Sequence, residues 1–276
     1  MSMAGFIDVH THLHDQRIIK NTPDIVLRAR DAGVETIATC ATMEENFELT
    51  AQLSEKFACV LPFLGIHPWF LETLSPDWAR DLGQWLEKIP AGVGETGLDF
   101  MDKGADRDLQ IQVFKTHLAL ACDLKRPINI HARKAWDAII NILKHHGPLA
   151  AGGVIHSYSG SADLVPVLEK FNLHISFSGS VTRPNAKKVG LALKAVSLDR
   201  IVFETDTPDI VPQFILDIHP GEKPLNEPAN VPEIVRVAAK RRNIDFQTLA
   251  GHGYANSLCL FDTVLKEKAR WPKSQA

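Results

Sequence analysis

Eight short apolar segments recur along the chain, and each is followed by a stretch with helical character. They are Phe6 to His10 (FIDVH), Val34 to Cys40 (VETIATC), Val60 to His67 (VLPFLGIH), Gly92 to Asp99 (GVGETGLD), Pro127 to Ala132 (PINIHA), Gly152 to Ser159 (GGVIHSYS), His174 to Gly179 (HISFSG) and Ile201 to Asp206 (IVFETD). Between them, apolar residues fall at helical spacing, as in Ile25, Leu27, Ala29 and Ala32, or Ile111, Phe114, Leu118 and Ala121. Strands that alternate with helices pair in parallel through crossover connections. Eight such units within about 250 residues have the size of a closed (β/α)8 TIM barrel. An open doubly wound sheet is the alternative. It is disfavoured because no G-x-G-x-x-G follows the first segment, and polar residues gather at many strand ends instead of one switch point.

The chain reads as one α/β domain. No linker-like or highly charged run divides its 276 residues, and 45% apolar against 23% charged residues provides for a sizeable core. The barrel is expected over about 5–262, with the helix through Asn256 to Phe261 on its outer surface and a solvated basic tail over about 263–276. A proline-rich irregular stretch runs from Thr207 to Pro228, ahead of a helix over Pro232 to Arg241.

Cys40, Cys59, Cys122 and Cys259 stand far apart without a C-x-x-C pair, a pattern of reduced thiols. No apolar run approaches the roughly 18 residues of a membrane helix, and the N-terminus lacks a basic segment leading into an apolar one. A cytoplasmic protein without membrane contact is expected. A net charge of −3 gives no sign of a broad electropositive surface, so any nucleic acid is expected to be held by a small local patch.

In a barrel of this kind the site is built at the C-terminal ends of the strands. Those ends carry His10 and His12 on the first, Glu95 on the fourth, His131 on the fifth, His156 on the sixth and Asp206 on the eighth. Each has an ordinary explanation in isolation: an H-x-H pair is often incidental, and an Asp after a strand often caps a helix. Together they form a set of imidazoles and carboxylates suited to divalent ions such as Zn²⁺, Mn²⁺ or Mg²⁺. Six ligands are too many for one ion with an open position. Two ions bridged by Glu95 would use them, and such a pair can activate water for displacement at phosphorus or carbon.

The segments GIHP (Gly65 to Pro68), GETGLDF (Gly94 to Phe100), INIHAR (Ile128 to Arg133), IHSYSG (Ile155 to Gly160), FETD (Phe203 to Asp206) and NEPAN (Asn226 to Asn230), with the H-x-H pair and the late Asn256 to Phe261, resemble the TatD-type metal-dependent deoxyribonucleases. The resemblance runs over almost the whole chain. It implies a barrel of the metallo-dependent hydrolase superfamily with a binuclear site and hydrolysis of DNA phosphodiesters, often from the 3′ end. By position, His10, His12, Glu95 and Asp206 would hold one ion, and Glu95, His131 and His156 the other. One departure is IHSYSG, where the family more often reads H-C-F-S-G, which alters the pocket lining at Ser157 and Tyr158.

Asp206 is also the expected acceptor of the water's proton, beside Glu95 in the catalytic set. No Ser-His-Asp nucleophile is indicated, because G-x-S-x-G is absent. Glu204, at the same strand parity as Asp206, either fixes a ligand histidine's tautomer or joins an ion pair. Arg133, two residues past His131, either meets a phosphate or caps a turn, and the resemblance favours the phosphate. His67 is assigned by the resemblance to the substrate phosphate or to support of the ligands. Thr182, Arg183 and Asn185 lie in the loop after the seventh strand, where they contact a nucleotide backbone or simply face solvent. Trp69, Phe70 and Trp136 are candidates to stack on a base or to pack in the core. His14 and Asp15 crowd the first strand end, whereas His145 and His146 read as surface residues.

The expected partner is DNA, as single strands or 3′ ends, and nothing in the sequence calls for an obligate protein partner. Two other readings use the same residues. One is an amidohydrolase, lactonase or aminoacyl-ester deacylase acting at carbonyl centres. The other is a non-catalytic subunit that keeps its ligands for stability, which the presence of all six argues against.

Overall fold

The computed structural model describes residues 5–101 and 106–271. Eight strands form one parallel sheet in sequential order: β1 (Phe6–Thr11), β2 (Val34–Cys40), β3 (Val60–Leu64), β4 (Gly92–Asp99), β5 (Ile128–Arg133), β6 (Gly153–Ile155), β7 (Leu173–Phe177) and β8 (Ile201–Phe203). The sheet closes through the chain after β8. Asp206 N donates to the His10 carbonyl at 3.0 Å, His12 N donates to the Thr207 carbonyl at 2.7 Å, and Thr11 bridges Thr207 in parallel. The expected single-domain (β/α)8 barrel is therefore the observed fold.

The helices of the outer layer follow their strands: α1 (Thr22–Asp31), α2 (Phe47–Lys56), α3 (Trp78–Lys88), α4 (Arg107–Asp123), α5 (Trp136–His146), α6 (Val165–Glu169) and α7 (Lys187–Ala195), with α8 (Gln213–Ile218), α9 (Val231–Arg242) and α10 (Phe246–Arg270) after β8. Local chemistry sets their ends. Asp106 accepts from Leu109 N and Asp245 from Thr248 N, each at 2.9 Å, capping α4 and α10. Pro23 and Pro232 occupy the first turns of α1 and α9, where a missing N–H costs nothing. Asn243 ends α9 in the left-handed conformation.

The apolar residues divide into two layers. Ile37, Val60, Leu64, Val93, Ile130, Ile155 and Ile175 of the strands meet helix residues such as Ile25, Phe114 and Leu143 in the larger cluster. Ala38, Leu61, Phe63, Val154 and Val202 form a second cluster with Leu260, Phe261 and Val264 of α10.

That second cluster places α10 differently from the sequence-based expectation. Its contacts lie at the N-terminal ends of the strands: Asn256 donates to the carbonyls of Leu198 and Ile201 before and at the start of β8, Tyr254 reaches Glu35 in β2, and Arg126, just ahead of β5, pairs with Glu267. The helix crosses the bottom of the barrel and closes it, with Phe261 set edge-on against Phe63 at 5.3 Å. It also takes up the start of the basic tail, since Lys268 donates to the Ser54 carbonyl at 2.6 Å. Residues 272–276 of that tail lie outside the described residues.

Several strands are shorter than their apolar segments. The chain leaves the sheet after Ile155 and after Phe203, where Ser157 and Asp206 take positive φ values of 40° and 59°.

Candidate metal centre

A cleft of about 650 Å³ occupies the C-terminal mouth, and His12, Glu95, His131, His156 and Asp206 line it. His10 lies at its floor, fully buried. All six side chains expected from the sequence thus converge, although His12, His156 and Asp206 stand just past their strands. Close backbone approach between neighbouring strands makes this possible. Gly97 has a φ of +144° and a Cβ there would run into the His131 carbonyl, so the second glycine of GETG lets β4 lie against β5. Likewise a Cβ on Gly65 would come within 2.7 Å of Gly94 Cα.

Glu95 stands at the centre. Its Oε2 is 3.5 Å from His10 Nε2 and 3.3 Å from His12 Nε2, while its Oε1 is 3.0 Å from both His131 Nδ1 and His156 Nε2. Asp206 Oδ1 completes the first side, 3.4 Å from the Nε2 atoms of His10 and His12. Three overlapping donor groups result: His10, His12 and Glu95; His10, His156 and Asp206; His67, Glu95 and His131. The ligand atoms of each group lie within 4.8 Å of one another.

The partners on the far side of each ring show which nitrogen is free. His10 Nδ1 donates to Asn129 Oδ1 at 2.8 Å and His12 Nδ1 to the Cys40 carbonyl at 2.9 Å, which leaves both Nε2 lone pairs inward, 3.1 Å apart. His131 Nε2 faces Asp99 Oδ2 at 3.2 Å, leaving Nδ1 inward and 3.0 Å from His156 Nε2. His156 Nδ1 lies 3.4 Å from Glu204 Oε1, in charge contact without hydrogen-bond alignment. Two pairs of facing nitrogen lone pairs repel unless a proton or a cation lies between them. The donor set therefore fits divalent ions, which the imidazole pairs and the Glu95 carboxylate between them would hold.

The electrostatics agree. Burial opposes charge on His12, yet its hydrogen bonds to Asp206 and Glu95 override it and raise its pKa to about 10. Burial and the charge on His10 likewise oppose ionisation of His156, but the carboxylates, Glu95 foremost, hold it at about 9. Burial pushes Glu95 and Asp206 upward, and the surrounding imidazoles outweigh it, holding both well below the usual carboxylate range. In the metal-free centre His12 and His156 therefore stay protonated beside ionised carboxylates.

His67 differs from the other four histidines. Its Nδ1 accepts the Trp69 backbone N–H at 3.1 Å, so the neutral ring carries its proton on Nε2, 3.4 Å from Glu95 Oε1. Burial lowers its pKa to about 4 and keeps it neutral. It offers a donor to the cleft and no inward lone pair, which sets it apart from the donor group that proximity alone would place it in.

At the rim, Arg133 is half exposed, with Nη1 3.8 Å from Asp99 Oδ2, and Arg183 is exposed. Both line the cleft. Thr182 is taken up by the scaffold, donating to the Gly179 carbonyl and accepting from Gln213 N, each at 2.7 Å. Asn185 does not line the cleft. Trp136 packs against Tyr158 at 5.0 Å. Phe70 and Trp69 both line the cleft, and His145 is exposed as expected.

Three features escaped the sequence reading, and His14, noted at the first strand end, lines the cleft while buried. Asp99 supports His131 and Asn129 supports His10. Arg17 forms two-pronged contacts with Asp15 and Asp209, tying the loop after β1 to the loop after β8. Strand parity was an available signal for two of these. Asn129 and Asp99 stand two and four residues from His131 and Glu95, on the same faces. The NEPAN run also gains a role: Asn226 Nδ2 donates to the Thr205 carbonyl at 2.7 Å, and its Oδ1 accepts from Glu227 N at 2.9 Å, pinning the loop that presents Asp206.

Comparison with known proteins agrees with this geometry. The family described as TatD related DNase matches residues 7–262. The chain is 30% identical over 257 residues to the uncharacterized metal-dependent hydrolase YabD of Bacillus subtilis, covering 92% of this chain and 98% of that one. It is 28% identical over 258 residues to the 3′-5′ ssDNA/RNA exonuclease TatD of Erwinia amylovora, with 92% and 98% covered. The crystal structure of the TatD homolog YjjV from Escherichia coli superposes with a TM-score of 0.86 at 29% identity, covering 93% of this chain and 98% of that one. The fold, the buried cluster of imidazoles and carboxylates and these matches lead to one conclusion: the chain belongs to the TatD family of metal-dependent hydrolases.

Proposed function

We propose that the protein is a deoxyribonuclease that removes nucleotides from the 3′ ends of single strands by water attack on the terminal phosphodiester. One observation carries the reading: Glu95 lies between two imidazole pairs whose lone pairs face inward, the arrangement that two ions sharing a carboxylate require. His10, His12, Glu95 and Asp206 would hold one ion, and Glu95, His131 and His156 the second, with Mg²⁺, Mn²⁺ or Zn²⁺ all compatible with the donors. When bound, such a pair supplies a lowered pKa for water and positive charge for the oxygens of the displacement.

The chain's own residues set the rest. Asp206, ionised and at the cleft, accepts the proton of the attacking water. His67 presents its Nε2 proton to a phosphoryl oxygen, a donor already in place before substrate arrives. Arg133 and Arg183 meet the phosphates at the rim. Asp99 holds the ring of His131 at its outer nitrogen, and Glu204 lies in charge contact with that of His156. The name of the Erwinia relative supports a strand-end substrate. The cleft agrees in scale, being a compact mouth with few arginines, whereas a duplex track would need many more cations.

The test is turnover of a 3′-labelled single-stranded oligonucleotide beside panels of simple esters and lactones, with Glu95→Gln as control. Shortening from the 3′ end that Glu95→Gln abolishes is the expected result. Ester or lactone turnover without DNA shortening would replace this reading with a carbonyl hydrolase.

A further inference from the structure

We propose that Trp69 is a stacking platform for the base of the nucleotide being removed, a subsite for a planar heterocycle beside the metal centre; this deepens the nuclease reading above and rests on it. Trp69 is 61% exposed at the cleft mouth. Exposure by itself means little, since single exposed apolar residues are ordinary. What sets this indole apart is that it is exposed and held. Its Nε1–H donates to Asp99 Oδ2 at 2.8 Å, its backbone N–H donates to His67 Nδ1 at 3.1 Å, and its ring meets the edge of His67 at 4.8 Å. A ring fixed in this way gives up little conformational freedom when a second ring stacks on it.

Its position matches the geometry of a nucleotide. Asp99 Oδ2 is shared by three groups: Trp69 Nε1 at 2.8 Å, His131 Nε2 at 3.2 Å and Arg133 Nη1 at 3.8 Å. An indole, a half-exposed guanidinium and a ring of the metal centre therefore surround one buried carboxylate. A nucleotide presents a flat base and a phosphate on one sugar, which is the complementary pair for the indole and the guanidinium. The other aromatic candidates are less suited, because Trp136 is packed on Tyr158 and Phe70 is half-buried against His67.

Two measurements test the subsite, one of them independent of turnover. Titration with dAMP should quench tryptophan emission, deoxyribose 5-phosphate should not, and the quenching should vanish in Trp69→Phe although four other tryptophans remain. In turnover, KM for an oligonucleotide with an intact 3′ base should rise about tenfold in Trp69→Ala and largely recover in Trp69→Phe. The ratio of KM for a 3′-abasic oligonucleotide to KM for the intact one should collapse toward one in Trp69→Ala. Equal quenching by the sugar phosphate, or an unchanged ratio in Trp69→Ala, overturns the subsite. Base-selective quenching without hydrolysis of either oligonucleotide supports the subsite and overturns the nuclease reading instead.

Discussion

Asn129 Oδ1 accepts the Nδ1 proton of His10 at 2.8 Å while its own Nδ2 donates to the Val9 carbonyl at 3.0 Å. The carboxamide therefore cannot flip without losing both bonds, and it fixes the tautomer that turns the His10 lone pair toward Glu95. Asn129→Ala should lower affinity for divalent ions by roughly 10- to 100-fold, the usual cost of removing such support. Calorimetric titration of the metal-free protein checks this, and unaltered affinity would mean that the ring is oriented by packing alone.

Proton release should accompany metal binding. At pH 8 the metal-free centre retains protons on His12 and His156, with pKa values of about 10 and 9, and an ion must displace them. Apparent affinity should rise with pH up to that range, and the binding heat should vary with the ionisation enthalpy of the buffer. Both folded pKa values lie above the ordinary histidine value of 6.5, so their contribution to stability is complete below pH 6.5 and is lost as pH rises through 9 to 10. The chelator-treated protein should accordingly melt at a lower temperature at pH 10 than at pH 7. A binding heat that is the same in all buffers would contradict the assignment.

His67 separates ligand from donor. His67→Ala should cut kcat by about 100-fold or more while leaving metal content intact, and His67→Gln, which retains a donor, should recover part of the loss. Parallel elemental analysis and single-turnover kinetics distinguish the two roles. Loss of an ion in His67→Ala would make it a ligand.

Arg183 is expected to act by charge. Arg183→Ala should weaken binding of single strands of any sequence and reduce the slope of log affinity against log salt by about 0.7. An unchanged slope would place the phosphate elsewhere on the rim.

The order of the strands and the six converging side chains were legible because each depends on local pattern: apolar runs give the strands, and strand ends give the site. Strand length was less so. The sequence after Ile155 and Phe203 stays strand-like, although the strands end there and Ser157 and Asp206 follow with positive φ. The location of α10 was not legible either, since Leu260, Phe261 and Val264 declare a buried face without naming what covers it. The distinction between Trp69 and Trp136 depends on Tyr158 lying beside one and Asp99 beside the other, a consequence of tertiary packing that no spacing encodes. The tautomers belong to the same class. The Cys40 carbonyl that fixes His12 is a backbone group, present at every position and therefore invisible as a signal.

Anomalous diffraction from crystals grown with Mn²⁺, with occupancy refined at each peak, tests the two-ion centre most directly. Two peaks are expected, one between His10 and His12 and one between His131 and His156, each contacted by a different oxygen of Glu95, and Glu95→Ala should lose at least one of them. A single peak outside both imidazole pairs, or none at saturating metal, would contradict the account.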